Sequence, residues 1–398
     1  MTNLFATPHH DPSERWLSNP FPEPGETIEV RLDVPEDDVD EAWLRTVRDG
    51  EGELIEGKRD ERTNGATWTF QLPCSNQIVR YRFWLGSSSG SRWMTGTGLV
   101  DHDPTDHHDF RVSTSGGPPS WVPETVWYQI FPDRFASSGT ERKLPAWAWA
   151  SDWHDDVAVG PGAMTQMYGG DLDGIIDRLD HLIDLGVGGI YLTPIFPARS
   201  NHRYDASTFD HIDPLLGGDE ALARLRTACD RAGLRLINDI TLNHTGDGHD
   251  WFRTALDDRE ATEASFYSFA ESPDCSSPLY ETWCGVSSLP KLNHRSDALA
   301  ERLYRGSDSV IGRFLQEPYR LDGWRVDVAN MTGRSGWDDY NSSVRSATRK
   351  TVDALASEAW LLAEDFFDPS GDVTGPGWHG WMNYIGVSWP ILLSLIHI

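Results

Sequence analysis

The sequence predicts an α/β protein: a (β/α)8 TIM barrel, incomplete at its C-terminal end, preceded by an all-β sandwich domain. Three observations carry this reading. Short strand-like runs fill residues 25 to about 112; a Gly/Pro/Ser stretch, STSGGPPSWVP (113 to 123), follows; beyond it, apolar strand runs alternate with amphipathic helical ones. Short, turn-bounded strands build sandwiches, whereas strand–helix alternation builds a parallel sheet. The expected domains are residues 1–115 and 116–398.

In the first domain the runs ETIEVRLDV, AWLRTVRD, ATWTFQLP and IVRYRFWLG are separated by the turn signals DGEGE, TNG and GSSSGS. In the second, VWYQIF (126 to 131) supplies the first barrel strand. IIDRLDHLIDLG (175 to 186) has apolar residues at helical spacing and stops at Gly186, and GGIYLTPIF reads as the buried strand after it. EALARLRTACDRAG (220 to 233) repeats the device, and LRLINDITLNH follows. SVIGRFLQEPY leads into RLDGWRVDV, SATRKTVDALASEA leads into WLLAED, and a sixth strand is expected near GWMNYIGVSW (380 to 389). The segment from Gly246 to about Asn293 is too long for a plain strand-to-helix loop and is expected to be an excursion serving the site.

Composition narrows the function. The 398 residues carry 34 Lys+Arg against 62 Asp+Glu, a net charge of −28, with no long basic run. So negative a surface repels phosphate backbones and anionic lipid, which disfavours nucleic-acid and membrane partners and leaves a neutral ligand as the easier fit. No basic n-region or apolar h-region opens the chain, and no window approaches the ~20 apolar residues of a span, so a cytoplasmic location is expected. The cysteines (Cys74, Cys229, Cys275, Cys284) lack metal-type spacing and read as free thiols, although Cys275 and Cys284 flank one loop and would pair if oxidised. The tryptophans number 18, and exposed aromatic rings commonly grip the C–H faces of sugars.

The chemistry sits at the strand ends. LDGWRVDVANM (321 to 331) places Arg325 and Asp327 on one face of a strand that otherwise reads as buried, with Val326 and Val328 on the other. A structural Arg–Asp pair is the bland alternative, since an unpaired buried carboxylate is costly. Three successive strands end in polar groups, however: Asp239, Thr241 and Asn243 with His244 beside them, then Arg325 and Asp327, then Glu364. In a parallel barrel these ends share one mouth. Two carboxyls with an arginine beside one suit glycoside chemistry: Arg325 favours the ionised form of Asp327 as nucleophile, and Glu364 holds a proton as general acid. A hydrolytic metal centre would want more His or carboxylate ligands than His244 alone, and no metal or cofactor is expected.

At these residues the chain resembles the alpha-amylase family. NDITLNH, GWRVDV and LLAED are similar to its successive signature regions, and SLPKLN (288 to 293) to the extra region of its neopullulanase, cyclomaltodextrinase and maltodextrin glucosidase branch. VWYQIFPDRFA, YGGDLDGI, GIYLTPIF and NHRYD (201 to 205) extend the likeness over roughly residues 120 to 390. It implies Asp327 as nucleophile and Glu364 as proton donor, with Arg325, His244 and Tyr204 lining the glucose subsite beside the cleaved bond. It also implies maltodextrin or a related α-glucan as substrate. Asp239, Asn243 and Asn293 are expected to line the same site, with Lys291; His202 and Asp205 are either subsite residues or loop-fixing groups. Trp251, Trp283 and Trp324 are either core or stacking residues.

Two departures matter. Met331 stands where many neopullulanases have Glu, which makes the maltodextrin glucosidases look closest. Some relatives bind calcium just after the first strand, yet here FASSGTERK offers Ser137 and Ser138 beside Asp171, a poor oxygen set for a hard cation. The reading is an O-glycosyl hydrolase of α-1,4-glucans. A transglycosylase of the same family and a catalytically silent carbohydrate-binding or regulatory relative are the alternatives, and a homodimer through the N-terminal domain is a possible assembly. The tail LSLIHI (393 to 398) coincides with a translation of the sequencing-adaptor end CTG TCT CTT ATA CAC ATC. An adaptor-derived tail, a chain short of two barrel strands and of the family's later catalytic carboxylate, and an inactive fragment are therefore expected.

Overall fold

The computed structural model describes residues 7–392, except 36–38, 63–64, 89, 115, 271–278, 368, 370–371, 374–375 and 389–390. The tail 393–398 and Cys275 thus lie outside the described residues. The chain forms two compact units, Met1–Gly117 and Pro118–Ile398.

The first unit is antiparallel β structure. β1 (Glu26–Val34) pairs with β5 (Gly65–Cys74), which also pairs with β4 (Lys58–Arg62). A second sheet runs β3 (Glu51–Glu56), β2 (Glu41–Arg48), β6 (Ile78–Ser87), β7 (Gly90–Thr95), β8 (Gly98–Val100), with β9 (Phe110–Ser113) also on β6. Period-two alternation explains the packing: Ile28, Val30, Leu32 and Val34 are buried, as are Phe70 and Leu72 of β5 and Leu44, Tyr81, Phe83 and Leu85 of the second sheet, all in one core. The DGEGE turn is shorter than the sequence suggests. EGELIE is itself a strand, half-exposed, on the edge of its sheet.

The second unit is built on a curled parallel sheet, half of a barrel. Its strands are β10 (Trp127–Ile130), β11 (Gly189–Leu192), β12 (Arg235–Thr241), β13 (Gly323–Asp327), β14 (Trp360–Ala363) and β15 (Gly380–Trp381), hydrogen-bonded in that order. Because all run parallel, their C-terminal ends share one edge. On one face Ile190, Leu236, Ile240, Trp324, Val326 and Leu361 enter the main core with the helices. On the other, Tyr191, Ile237, Trp360 and Leu362 make a small apolar layer. Asp239, Arg325 and Asp327 lie on that second face by period two, nearer the C-terminal edge, with Asp239 opposite Arg325 and Thr241 opposite Asp327.

The helices close the units as the sequence suggests, with two differences. α3 (Gly218–Ala232) buries Ala221, Leu222, Leu225 and Cys229 and ends on Gly233, whose φ of 70° suits a left-handed cap. α7 (Asn341–Leu355) precedes β14. The segment 175–186, expected as one helix, lies across two short ones, α1 (Leu172–Ile176) and α2 (Leu179–Asp184). Gly174 lets α1 press against the chain after β10, because a Cβ there would fall 2.3 Å from the Ala136 carbonyl oxygen. The expected sixth strand keeps only Gly380–Trp381; Tyr384–Ser388 turns into a wide helical loop. The 246–293 excursion holds α4 (Asp250–Asp257), with α5 (Asp297–Leu303) and α6 (Val310–Phe314) after it. Among the described residues no helix is long and apolar enough to cross a membrane.

Candidate active site

Gly323 lets the two strands that end in Asp327 and Glu364 approach closely. A Cβ on it would lie 2.1 Å from the Trp360 carbonyl oxygen, so any side chain would wedge β13 from β14. With that contact made, Arg325 on β13 reaches sideways in both directions. Its Nη1 donates to Asp327 Oδ1 at 2.7 Å and to Asp239 Oδ2 at 2.9 Å, and its Nη2 lies 2.6 Å from Glu364 Oε1. One guanidinium therefore serves three carboxylates, all buried.

The strand ends at Asp327, and here the sequence reading needs correction. Val328 is not the next outward strand residue: it turns at a φ of 38°, a conformation costly for a β-branched side chain. The turn aims its amide at the neighbouring strand end, where it donates to Glu364 Oε2 at 2.9 Å. Tyr384 donates to Glu364 Oε1 at 3.0 Å.

On the other side, Asp239 accepts from the hydroxyl of Tyr204 at 3.0 Å and from that of Tyr191. Burial raises both phenols, and the Asp239 charge adds to it. The Tyr204 amide donates to His202 Nδ1 at 3.2 Å, and the two rings stack. His202 is pushed down chiefly by burial, and His244 to about 3 for the same reason, so His244 is a neutral imidazole at any working pH. His244 stacks on Trp283 with centroids 5.2 Å apart and pairs through Nδ1 with Asn243 Nδ2 at 3.2 Å. Asn243 Oδ1 and Asn330 Oδ1 are buried without a hydrogen-bond partner among the described residues.

The electrostatics differ from expectation too. Burial, then the Asp239 charge, pushes Asp327 well above the ordinary carboxylate range, with Arg325 opposing and Glu364 adding to the rise. Asp239, fully enclosed, is also raised by burial. Arg325 does favour an ionised Asp327, but a single cation shared among three buried carboxylates does not outweigh their desolvation and mutual repulsion.

Not every expected residue points at this cluster. Asp205 spends its carboxylate locally, on the Arg199 amide at 3.1 Å and the Ser200 hydroxyl, and so fixes its loop. Asn293 likewise clips the excursion, donating to Ser265 O at 3.1 Å and accepting from the Arg295 amide at 3.3 Å. Trp251 and Trp324 are core, whereas Trp283 lines a cavity of about 490 Å³ with Lys291, Asn330, Met331, Asp365 and Phe367. Asp171 accepts from the Ser138 amide and hydroxyl (3.2 and 2.6 Å), from the Gly174 amide (2.6 Å) and from Arg142, so protein donors engage its oxygens. Tyr191 and Tyr384 were missed. Tyr191 was legible by period two in GIYLTPIF; Tyr384 was not, because it lies in the wide loop after β15.

Comparisons with known proteins bear on the family and the fold. A cyclomaltodextrinase of Geobacillus thermopakistaniensis (strain MAS1) is 32% identical over 391 residues, covering 90% of this chain and 61% of that protein. Neopullulanase 2 of Thermoactinomyces vulgaris is 32% identical over 326 residues, covering 79% and 52%. Among solved structures, a cyclomaltodextrinase superposes with a TM-score of 0.65 at 26% identity, covering 95% of this chain and 64% of that one. The type III pullulan hydrolase from Thermococcus kodakarensis gives 0.64 at 27% identity, with the same coverage. The chain thus spans between 52% and 61% of the length of these two curated relatives. The alpha-amylase catalytic domain matches residues 129–354, more than half of the chain, and the chain belongs to the alpha-amylase family.

Proposed function

We propose that the full-length protein carrying these residues hydrolyses α-1,4-glucosidic bonds of maltodextrins with retention of configuration. The observation that carries the proposal is the shared Arg325: the carboxyls of Asp327 and Glu364, at adjacent strand ends, both lie on its guanidinium. In this reading Asp327 attacks the anomeric carbon while Glu364 gives its proton to the departing oxygen; Glu364 then takes a proton from the water that cleaves the covalent glucosyl intermediate. Arg325, Asp239, Tyr204 and neutral His244 hold the ring being cleaved, and Asn243 Oδ1 supplies an acceptor for its hydroxyls. Named relatives support the substrate class, being a cyclomaltodextrinase and a neopullulanase. A cytoplasmic location fits the relative described as an intracellular maltogenic amylase of Bacillus subtilis, and fits Cys74, Cys229 and Cys284, which form no disulfide among the described residues.

Proton NMR of fresh maltotriose digests tests the mechanism. The α-anomer should appear first; a first-formed β-anomer would replace double displacement with single displacement. Asp327→Asn should abolish turnover of every substrate, and Glu364→Gln should spare glucosyl fluoride while losing maltotriose. The 398-residue chain by itself is proposed to be inactive, because β10 and β15 are each paired on one side alone among the described residues and leave the sheet open. Soluble, active material from that expression would refute this.

A further inference from the structure

Trp337 is the most exposed large apolar side chain described, at 104% of its reference area, and it does not sit on a slack loop. It occupies the tip of a small hairpin in which Arg334–Ser335 pair antiparallel with Asp338–Asp339 across Gly336, whose φ is 55°. Three polar ties pin this hairpin. Arg295 pairs with Asp338, the Lys291 ammonium donates to the Arg334 carbonyl, and Arg334 Nε donates to Asp339 at 3.2 Å. Two of the ties come from the 246–293 excursion and the segment just after it, so the turn that carries the indole is tied to its neighbours. The indole itself offers a flat apolar face to solvent, and it has no core packing that folding would explain.

Its position suggests what it takes. The hairpin starts at Arg334, which lines the same cavity as Trp283, Met331 and Phe367. That cavity contains none of Tyr204, His202 or Asp239, but it borders the same cluster: Asn330 and Asp365 closely follow Asp327 and Glu364 in the chain, and Trp283 stacks on His244. It therefore lies beside the residues that would cleave the bond. With a net charge of −28, the chain favours a neutral ligand there, and a sugar's C–H face is the neutral surface that matches an indole.

We propose that Trp337 is a stacking platform for a distal glucose unit of longer α-glucans, beyond that cavity, so that it sets chain-length preference. This rests on the hydrolase reading above. Trp337 is a binding residue here, with no part in the bond-breaking step.

In the full-length protein, Trp337→Ala should lower the preference for maltoheptaose over 4-nitrophenyl α-glucoside, as the ratio of kcat/KM values, by about tenfold, the equivalent of one lost stacking contact. The loss should sit in KM for maltoheptaose, and Trp337→Phe should recover most of it. An unchanged ratio overturns the platform. Retardation in native gels containing amylose separates this proposal from the one it rests on. If the protein hydrolyses nothing yet is retarded, and Trp337→Ala is not, the platform stands and the hydrolase reading falls. If the wild type is not retarded, the platform falls. If Trp337→Ala instead splits a dimer in sedimentation runs with the ratio intact, the ring serves a second copy of the chain and the glucan role is overturned.

Discussion

The amide of Val328 donates to Oε2 of Glu364 at 2.9 Å from a backbone turned to a φ of 38°. A β-branched residue there is strained by roughly 1–3 kcal/mol, and the neighbouring carboxylate gains a fixed donor. Val328→Gly loses the buried side chain but releases that strain; Val326→Gly, two residues earlier on the strand, loses the same side chain with no such strain to release. Val326→Gly should therefore cost about 1–3 kcal/mol more in urea unfolding than Val328→Gly. Equal costs would mean that the Val328 backbone carries no strain.

Asp327 should be a stability liability as well as a reacting group. Its folded pKa is raised, by burial first and the Asp239 charge second, so the folded state binds this proton more tightly than the unfolded state. The stability tied to the group is present below the ordinary carboxylate value and is lost as pH rises through the folded value. At pH 7 to 8, Asp327→Asn should then unfold at higher urea, by on the order of 1 kcal/mol or more, while turnover in the full-length protein falls about 10³-fold or further. A destabilised Asp327→Asn protein at that pH would contradict the sign.

Removing the shared cation should act in the opposite direction. Arg325→Ala leaves Asp239, Asp327 and Glu364 facing one another in a buried space, and the expected cost is about 3–5 kcal/mol by chemical denaturation. Arg325→Lys should recover only part of this, because one ammonium cannot present two nitrogens to Asp327 and Glu364 at once. Full recovery with Lys would reduce the cluster to simple charge balance.

Five histidines set an acid limit. Burial pushes His10 and His294 down to about 4 and His244, His249 and His379 to about 3. Two of them must be neutral to make their contacts: His249 Nδ1 accepts the Trp251 amide at 3.1 Å at the start of α4, and His379 Nδ1 accepts the Leu361 amide at 2.9 Å. Since the unfolded chain binds these protons near 6.5, the stability they contribute is complete above that value and is lost as pH falls toward the folded values. The raised carboxyls of Asp239 and Asp327 oppose the slope but are fewer. Melting temperature should drop between pH 6.5 and 4, and His249→Asn, which keeps a capping acceptor that does not titrate, should flatten the slope by about one proton, or ~1.4 kcal/mol per pH unit.

Period and punctuation in the sequence determined which segments are strands and which residues share a face. Asp239, Arg325 and Asp327 fall on one side of a parallel sheet by alternation alone, and Glu364 falls at the next strand end, because the side-chain period of a strand does not depend on its neighbours. GIYLTPIF carried Tyr191 by the same rule. Tertiary structure decided the rest. Spacing along the chain does not say that one guanidinium faces three carboxylates, so the rise at Asp327 is a property of the packed cluster. Nor does it say what each polar group of one short motif contacts: Asp205 takes the Arg199 amide and the Ser200 hydroxyl, while His202 takes the Tyr204 amide and stacks on its ring. Those contacts depend on which donors the folded loop turns toward each side chain, and residue spacing alone does not fix that conformation.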